Sequence, residues 1–265
     1  MYTPAGKRKD NTKRCATCRR EDLLLNGKLS HYKYYAKVRG FSWDKDMTKE
    51  TCSSMMKSPC HYCTARVPLN GLHGIDRVDN RKGYSVTNCV GCCKECNISK
   101  GCVDAQTFVD RCVHIASCNT DRASLHPEAW PDTKPTSFSG YRRNSKFGSR
   151  FTLSKEEYKR LIELPCHYCR RDITETNKSG IDRVDCTRGY TMDNVVSCCC
   201  ECNRMKHTST QKDFLDRCTQ IADRAESFTF PEMEICLRTI TKNKNPAILM
   251  DPSGYKILYW NVKRV

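Results

Sequence analysis

The cysteines with the most recognisable chemistry form four Cys-x-x-Cys pairs, which use eight of the 21 cysteines in the chain. They are Cys60, Cys63, Cys93 and Cys96 in the first half, and Cys166, Cys169, Cys199 and Cys202 in the second half. Two such pairs together supply four thiolates, which is the closed tetrahedral donor set of a structural zinc ion. The sequence therefore predicts two zinc sites of four cysteines each, neither of which keeps a coordination position open for water.

The pairs belong to a 44-residue stretch that occurs twice, over residues 58–101 and 164–207. The copies align without a gap at a distance of 106 residues and are identical at 21 of the 44 positions. The identical positions include the cysteine pairs, the hexapeptide GIDRVD, a Gly-Tyr step, one loop asparagine and the ending C-N-x-x-K. A spacing this rigid indicates the duplication of one folded unit, so the function should reside in the shared residues.

Four further cysteines divide into two groups. Cys112 and Cys218 recur within apolar helical patterns, so we expect them to be buried as small apolar side chains. Cys15 and Cys18 form a further Cys-x-x-Cys pair with no second pair nearby. That pair is either half of a zinc site completed by a distant Cys52 or His31, or two free thiols, and the sequence leaves both interpretations open.

The chain carries a formal net charge of +16 and a pI near 9.1. Such a charge favours a polyanionic partner, nucleic acid first of all, and disfavours a scaffold that binds only proteins. The N-terminus has no apolar signal region and no apolar run approaches the length of a membrane span. Together with the odd cysteine count, this predicts an intracellular, reducing location (nucleus, cytoplasm or virion), no secretion and no membrane partner.

Length and repeat together predict five segments. These are a basic N-terminal extension (1–30), a first zinc module (31–118), a linker (119–139), a second zinc module (140–226) and a C-terminal extension (227–265). The C-terminal extension should contain a β-hairpin, because AILM and YKILYW flank the turn-forming run Asp251 to Gly254.

Helices should flank each repeat. Thr48 opens a helix over Lys49–Lys57, and Ser154 with Glu157 forms a capping box for Lys155–Glu163. Residues 31–40 (HYKYYAKVRG) mix aromatic and basic side chains in a helical pattern suited to lying along phosphates. The counterpart at residues 140–150 contributes Arg142 and Arg143 as candidate nucleic-acid-binding residues.

Between the cysteine pairs, the alternation in GIDRVD predicts a strand, with Ile75 on one side and Asp76 on the other. A second short strand should lead into the second cysteine pair, where a helix begins. That helix presents Asn97 and Lys100 on one face, because they are three residues apart. The fold class is therefore α+β: two tandem zinc-stabilised ββα modules with flanking helices and a C-terminal hairpin.

This arrangement resembles the HNH, or His-Me finger (ββα-metal), nuclease superfamily in its zinc-knuckle form. The resemblance spans the 44-residue repeat in each half of the chain. It implies that Asp76 with Asn97, and Asp182 with Asn203, hold Mg²⁺ or Mn²⁺ against a scissile phosphate. It also implies supporting roles for two asparagines that brace the catalytic loop and two lysines that contact backbone phosphates. These residues are Asn88, Asn194, Lys100 and Lys206.

The chain departs from the family where the catalytic histidine is expected, because Arg77 and Arg183 stand there. Arginine stays protonated and cannot act as a general base, although it can bind phosphate in a bidentate manner. Asp79 and Asp185 are candidate substitute bases. Two functions follow as alternatives: a divalent-metal-dependent endonuclease that hydrolyses phosphodiester bonds, or a catalytically inactive DNA- or RNA-binding component of a ribonucleoprotein, virion or other larger nucleoprotein assembly.

Overall fold

The computed structural model describes residues 16–120, 124–132, 134, 136–144, 151–230, 247–250 and 256–259. The chain divides into two compact units, Met1–Ile98 and Ser99–Val265. Each unit is described by itself below. Both contain helices and short antiparallel hairpins, which is the α+β class expected from the sequence.

The first described elements of this unit are a long helix, α1 (Ala16–Val38), and a short one, α2 (Lys49–Lys57). Thr48 caps α2 by accepting a hydrogen bond from Thr51 N, so the predicted bounds of this helix are confirmed. The segment predicted as a basic extension (1–30) is helical from Ala16 onwards. The physical reason is an apolar stripe: Leu25 and Leu29 of α1 are buried and continue the helix into that segment.

A hairpin and a helix follow α2. Strand β1 (Gly74–Arg77) pairs antiparallel with β2 (Cys89–Cys92), and helix α3 (Lys94–Lys100) follows at once. The hairpin lies so close to α2 that a Cβ atom at Gly91 would collide with the carbonyl oxygen of Met55. The core of this unit consists of buried side chains from α1, α2, the hairpin and the segments that precede α2 and β1. They are Leu25, Leu29, Ala36, Met47, Cys52, Met56, Leu72, Ile75, Tyr84 and Cys89.

The second unit repeats this order after an additional helix. It runs α4 (Ala105–Asn119), α5 (Phe138–Asn144), α6 (Lys155–Ile162), β3 (Gly180–Arg183), β4 (Val195–Cys198), α7 (Cys200–Lys206) and α8 (Gln211–Ala222). The capping box of Ser154 and Glu157 is present at the start of α6. Strands β3 and β4 pair in the same register as β1 and β2, with Gly180 opposite Cys198. The duplicated sequence thus folds as a duplicated structure.

Helix α4 packs against α8 within the second unit, whereas the sequence grouped α4 with the first zinc module. Phe108, Cys112 and Ile115 of α4 are completely or almost completely buried, as are the matching Phe214, Cys218 and Ile221 of α8. The prediction that Cys112 and Cys218 behave as small apolar residues is confirmed. Two copies of one amphipathic helix therefore bury equivalent apolar faces.

The segment 119–139 contains more structure than the predicted linker. A 3-10 turn spans Pro127–Ala129, and Trp130 is 5% exposed. The guanidinium of Arg111 lies 5.2 Å from the Trp130 ring centroid, and Arg111 Nε donates to Ala129 O at 2.8 Å. Burial of the indole supplies the apolar contact that fixes this part of the segment.

The C-terminal hairpin is present as predicted. Strand β5 (Ala247–Met250) pairs antiparallel with β6 (Lys256–Tyr259), and Ala247 lies opposite Tyr259. The turn-forming residues Asp251 to Gly254 fall outside the described part of the chain.

Candidate metal centres

Two clusters of four buried cysteines lie at the ends of the two hairpins. The first comprises Cys60, Cys63, Cys93 and Cys96, and the second comprises Cys166, Cys169, Cys199 and Cys202. Within each cluster the four sulfur atoms all lie within 4.8 Å of one another. The structure therefore brings together the eight cysteines that spacing alone had grouped into two sites.

The sulfur spacing fits a zinc ion. A tetrahedron with zinc–sulfur bonds of about 2.3 Å has sulfur–sulfur edges of about 3.8 Å. The Sγ atoms of Cys63 and Cys93 are 3.7 Å apart, and those of Cys169 and Cys199 are 3.9 Å apart. Every cysteine with described surroundings is a free thiol rather than a disulfide. Both clusters can hold a structural zinc ion that joins the loop before each hairpin to the helix after it.

Neighbouring side chains remain outside the clusters, as the spacing predicted. The thiols of Cys92 and Cys198 donate to the carbonyl oxygens of Cys93 and Cys199, at 3.4 and 3.3 Å. His61 and His167 stack edge-on against Tyr62 and Tyr168 instead of joining the sulfur atoms. The candidate zinc ligands are therefore four thiolates per site.

The proposed site at Cys15 and Cys18 stays a prediction. Cys15 and the side chain of Cys18 lie outside the described residues. Cys52, one suggested partner, is fully buried in the apolar core of the first unit, and burial raises the pKa of its thiol.

The carboxylate of Asp182 lies at the centre of a buried polar cluster on β3. Lys206 Nζ lies 3.1 Å from Asp182 Oδ2, and Tyr168 donates its hydroxyl proton to the same oxygen at 2.8 Å. Lys206 also donates to Arg183 O at 2.8 Å, and its side chain is 0% exposed. The ammonium that was expected to contact a phosphate is thus turned inward, because it neutralises a buried acid.

The electrostatics of Asp182 follow from this burial. Desolvation raises the pKa of the Asp182 carboxyl, and the Lys206 ammonium and the Tyr168 hydroxyl act in the opposite direction. Oδ2 of this carboxylate already accepts from an ammonium and a phenol, so this oxygen atom is not free to bind a divalent cation. In this arrangement Asp182 is a partner for a positive side chain.

The first copy shares part of this cluster. Tyr62 donates to Asp76 Oδ2 at 2.7 Å, and both side chains are buried. Lys100, at the position of Lys206, is 2% exposed and is therefore not displayed to solvent for a phosphate contact.

Asn97 and Asn203 lie on the helices that follow the hairpins. The Asn203 side chain donates to Ile181 O at 3.1 Å, which joins α7 to β3 beside Asp182. Asn203 also lines a shallow pocket with Gly180 and Arg204. Asn97 is half-buried and lies close to Gly74, the matching start of β1. Each asparagine is therefore adjacent to the strand that carries the aspartate.

Asn88 and Asn194 hold the loop that connects the strands. Asn88 accepts from Asp79 N at 2.9 Å and donates to Asp79 O at 3.0 Å and Gly83 O at 2.8 Å. Asn194 makes the same bonds to Asp185 and Gly189, at 3.0, 3.0 and 2.9 Å. A buried amide that satisfies three backbone groups fixes the loop in both copies.

The arginines at the histidine position pack on aromatic rings. The Arg77 guanidinium lies 3.7 Å from the centroid of Phe41 and donates to Lys82 O at 2.6 Å. Arg183 lies 5.0 Å from the Tyr190 ring and donates to Arg188 O at 3.1 Å. Both side chains are tied to the loops of their own hairpins, so each has a structural role in the fold.

The candidate substitute bases are also engaged. Asp79 accepts from Arg81 N at 2.9 Å and from the Arg81 guanidinium at 3.0 and 3.2 Å. Burial by itself would raise the pKa of Asp79, but these bonds outweigh it and lower that pKa below 3.8. Bonds from Thr187 likewise lower the pKa of Asp185. Carboxylates held as anions in this way are weak bases towards water at neutral pH.

The remaining candidate residues, Arg142 and Arg143, lie on α5 and are exposed. Tyr141 of the same helix accepts a hydrogen bond from Ile181 N at 3.1 Å, which fixes α5 to β3. Among the predicted nucleic-acid-binding residues of the second copy, these two arginines face solvent, whereas Lys206 is buried.

Two tyrosines at the centre of the site were missed by sequence reasoning. Tyr62 and Tyr168 stand inside the first cysteine pair of each copy, in the shared motif CHYC, and they bond the two strand aspartates. Both copies have tyrosine at this position, and this conservation within the repeat is the signal from which they could have been predicted.

Comparison with known proteins finds a viral relative. The chain is 31% identical over 205 residues to an uncharacterised protein, R423, of Acanthamoeba polyphaga mimivirus. The match covers 77% of this chain and 38% of that protein. No protein-family model and no solved structure matches the chain. Within the described ranges, every helix is too short or too polar to serve as a bilayer-spanning segment.

Proposed function

We propose that the chain is a nucleic-acid-binding protein whose two zinc-held hairpin modules bind the polymer without hydrolysing it. One zinc ion would fix each hairpin to its following helix, and the basic surface would supply the attraction for phosphates. This is the binding alternative of the two functions that follow from the sequence.

The observation that carries the non-hydrolytic part is the pair formed by Lys206 and Asp182. Their charged atoms are 3.1 Å apart, and the lysine side chain has no exposed surface. An endonuclease of the resembled type would need this carboxylate for a divalent ion. Here an ammonium supplies the positive charge instead, and Arg183 is bonded to Arg188 O.

The support for nucleic acid as the partner is electrostatic. The net charge of +16 favours a polyanion, and neutralising phosphates releases the counterions that surround the polymer. Arg142 and Arg143 are exposed on α5, which Tyr141 attaches to β3. Guanidinium groups on a fixed helix are suited to bind phosphate oxygens.

A divalent-metal-dependent endonuclease is the second candidate. The observation that favours it is the adjacency of Asp182 and Asn203. The Asn203 side chain donates a hydrogen bond to the carbonyl oxygen of Ile181, the residue before Asp182, and it lines a shallow pocket. Catalysis would then require Mg²⁺ or Mn²⁺ to displace the Lys206 ammonium from the carboxylate.

The deciding experiment combines binding with nicking of supercoiled plasmid in the presence of Mg²⁺ or Mn²⁺. The proposal expects retarded plasmid that stays supercoiled, with binding that weakens steeply as salt rises. Nicking that depends on the metal and is lost in the Asp76→Ala, Asp182→Ala double variant would establish the endonuclease instead. Nicking that survives in the double variant would come from a contaminating nuclease. Absence of any binding at low salt would overturn the proposal.

A further inference from the structure

The exposed face of the C-terminal half of α1 combines aromatic rings with a pure positive charge. From Leu23 to Trp43 the sequence contains four lysines or arginines and no acidic residue. Tyr34 and Val38 are 61% and 60% exposed, and they lie on the same side of the helix because they are four residues apart. This surface is not used by the zinc sites or the strand aspartates.

The rings on this face form an ordered ladder along the helix axis. His31 and Tyr35 are one helical turn apart, and their ring centroids are separated by 4.5 Å. The Arg39 guanidinium lies one further turn along, 5.5 Å from the Tyr35 centroid. Tyr34 stands perpendicular to Tyr35, with centroids 5.1 Å apart. An imidazole, a phenol ring and a guanidinium group thus follow one another along the helix at the contact distances of aromatic and cation–π pairs, with the His31 and Tyr35 rings tilted by 53°.

The opposite face of the helix holds the ladder in position. Leu29 and Ala36 are buried in the core of the first unit. The Tyr32 hydroxyl accepts a hydrogen bond from Ile75 N at 2.8 Å, which attaches α1 to β1. A ring surface that is ordered before binding loses little conformational entropy when it meets a ligand.

The cations around the ladder point to an anionic polymer as the occupant. Lys33, Lys37 and Arg39 are exposed, and Lys33 lies 5.5 Å from the Trp43 ring. A second protein chain would have to bring acidic groups to this face together with apolar ones. A polynucleotide brings phosphates and flat rings as parts of every residue, which matches both features at once.

The geometry points to a binding surface for single-stranded nucleic acid, formed by His31, Lys33, Tyr34, Lys37 and Arg39 with Tyr35 behind them. Unpaired bases would stack on the Tyr34 ring and the exposed edge of the ladder, and the cations would contact the intervening phosphates. Bases in a duplex are already stacked on each other, so the ladder should discriminate against duplex. This inference rests on the proposed nucleic-acid-binding function and specifies its substrate class.

The test measures fluorescence anisotropy of a labelled single strand, as DNA and as RNA, and of the matching duplex. The full chain is compared with Tyr34→Ala, and Tyr34→Phe serves as the variant that keeps the ring. Leu69→Ala is the control for the loss of an exposed apolar side chain, since Leu69 is 94% exposed on a different part of the unit. Zinc content and circular dichroism verify that each variant is folded.

We expect the wild type to prefer the single strand, and Tyr34→Ala to lose roughly tenfold in single-strand affinity with little change for duplex. Tyr34→Phe and Leu69→Ala should match wild type. Lys33→Ala with Lys37→Ala should reduce the dependence of affinity on salt. The DNA and RNA arms show which sugar is preferred.

Failure of this inference and failure of the proposed function give different results. Equal binding of single strand and duplex that Tyr34→Ala leaves unchanged would overturn the inference while the proposed function stands. Loss of binding to every nucleic acid already in the wild type would overturn both. A Tyr34→Ala variant that changes the oligomeric state in light scattering, with unaltered nucleic-acid affinity, would identify the face as a protein interface and overturn the inference.

Discussion

Lys206 and Asp182 form a salt bridge with almost no access to solvent: Nζ lies 3.1 Å from Oδ2, and the side chains are 0% and 4% exposed. The aspartate lies on β3 and the lysine ends α7, so the bridge joins the strand to the helix that follows the hairpin. An ion pair at this position can fix α7 to β3, whereas the neighbouring cluster of four cysteines can join the same helix to the loop before the hairpin.

Removing the lysine should be costly. In Lys206→Met the carboxylate of Asp182 stays buried without its counter-charge, which typically destabilises a fold by about 3–5 kcal/mol. We expect urea unfolding of the variant to have its midpoint at clearly lower urea than the wild type, at pH 7 and with zinc present.

The control is another lysine–aspartate pair of the second unit. Lys212 and Asp216 are paired on the surface of α8, with side chains 82% and 48% exposed. Lys212→Met should leave the unfolding midpoint unchanged, because surface pairs contribute little. Equal midpoints for Lys206→Met and wild type would show that the buried pair is unimportant for folding.

Each zinc cluster should hold its metal independently of the other. Cys60→Ser and Cys166→Ser each remove one of four thiolates, so native mass spectrometry should find one zinc equivalent fewer than in wild type. The unfolding transition of the affected unit should also weaken. Cys102→Ser is the matched control, since Cys102 is exposed and outside both clusters. Unchanged zinc content in both cluster variants would contradict the assignment of four thiolate ligands to each ion.

Asp79 should stabilise the first hairpin through its charge. Its folded pKa lies below the unfolded value of 3.8, because the effect of desolvation is outweighed by the bonds from Arg81. This stabilisation is therefore present above pH 3.8 and is lost as the pH falls through the folded pKa. Asp79→Asn should therefore reduce the free energy of unfolding by about 1–3 kcal/mol.

The same reasoning predicts a constant difference between Asp79→Asn and wild type from about pH 5.5 to about pH 8, because the carboxyl titrates below that range in both the folded and the unfolded chain. Chemical denaturation at several pH values checks this. Asp44→Asn, a change at an exposed aspartate, should have no effect. A difference that varies steeply within that range would show that another group controls the hairpin.

His207 occupies a backbone conformation that suits glycine. Its φ is 53° and its ψ is −121°, which is the first central position of a type II′ turn. The first copy has Gly101 at the matching position, with φ of 58°. His207→Gly should therefore stabilise the chain by about 1 kcal/mol, and its melting temperature should rise by roughly 2–4 °C.

His207→Ala provides the comparison, because alanine removes the imidazole without relieving the backbone. We expect no increase in melting temperature for that variant. Equal effects of glycine and alanine at this position would show that the imidazole, rather than the backbone conformation, determines the result.

The sequence predicted the elements that depend on local spacing. The Cys-x-x-Cys pairs located both metal clusters, and Thr48 and Ser154 located the starts of two helices. These signals work because a thiol pair or a capping side chain acts on atoms a few residues away. Because the repeat contains each of these motifs twice, every assignment was supported at two places in the chain. None of them required information about the packing of the core.

The directions of long polar side chains could not be predicted in this way. The family resemblance implied a phosphate contact for Lys206, yet its ammonium turns inward to Asp182. Arg77 lies over the ring of Phe41, which comes well before it in the sequence. Such choices depend on which partners the tertiary fold brings close, and a flexible side chain has several options of similar local energy.

The pairing of α4 with α8 has a consequence for dissecting the chain. A fragment that starts at residue 140, where the sequence suggested a module boundary, would lack α4 and leave Phe214, Cys218 and Ile221 uncovered. Such a fragment should self-associate or require detergent, even with its zinc bound. The duplication has produced two matching helices, α4 and α8, that pack against each other. A fragment for expression should therefore begin before Ala105, so that it includes α4, rather than after Asn119.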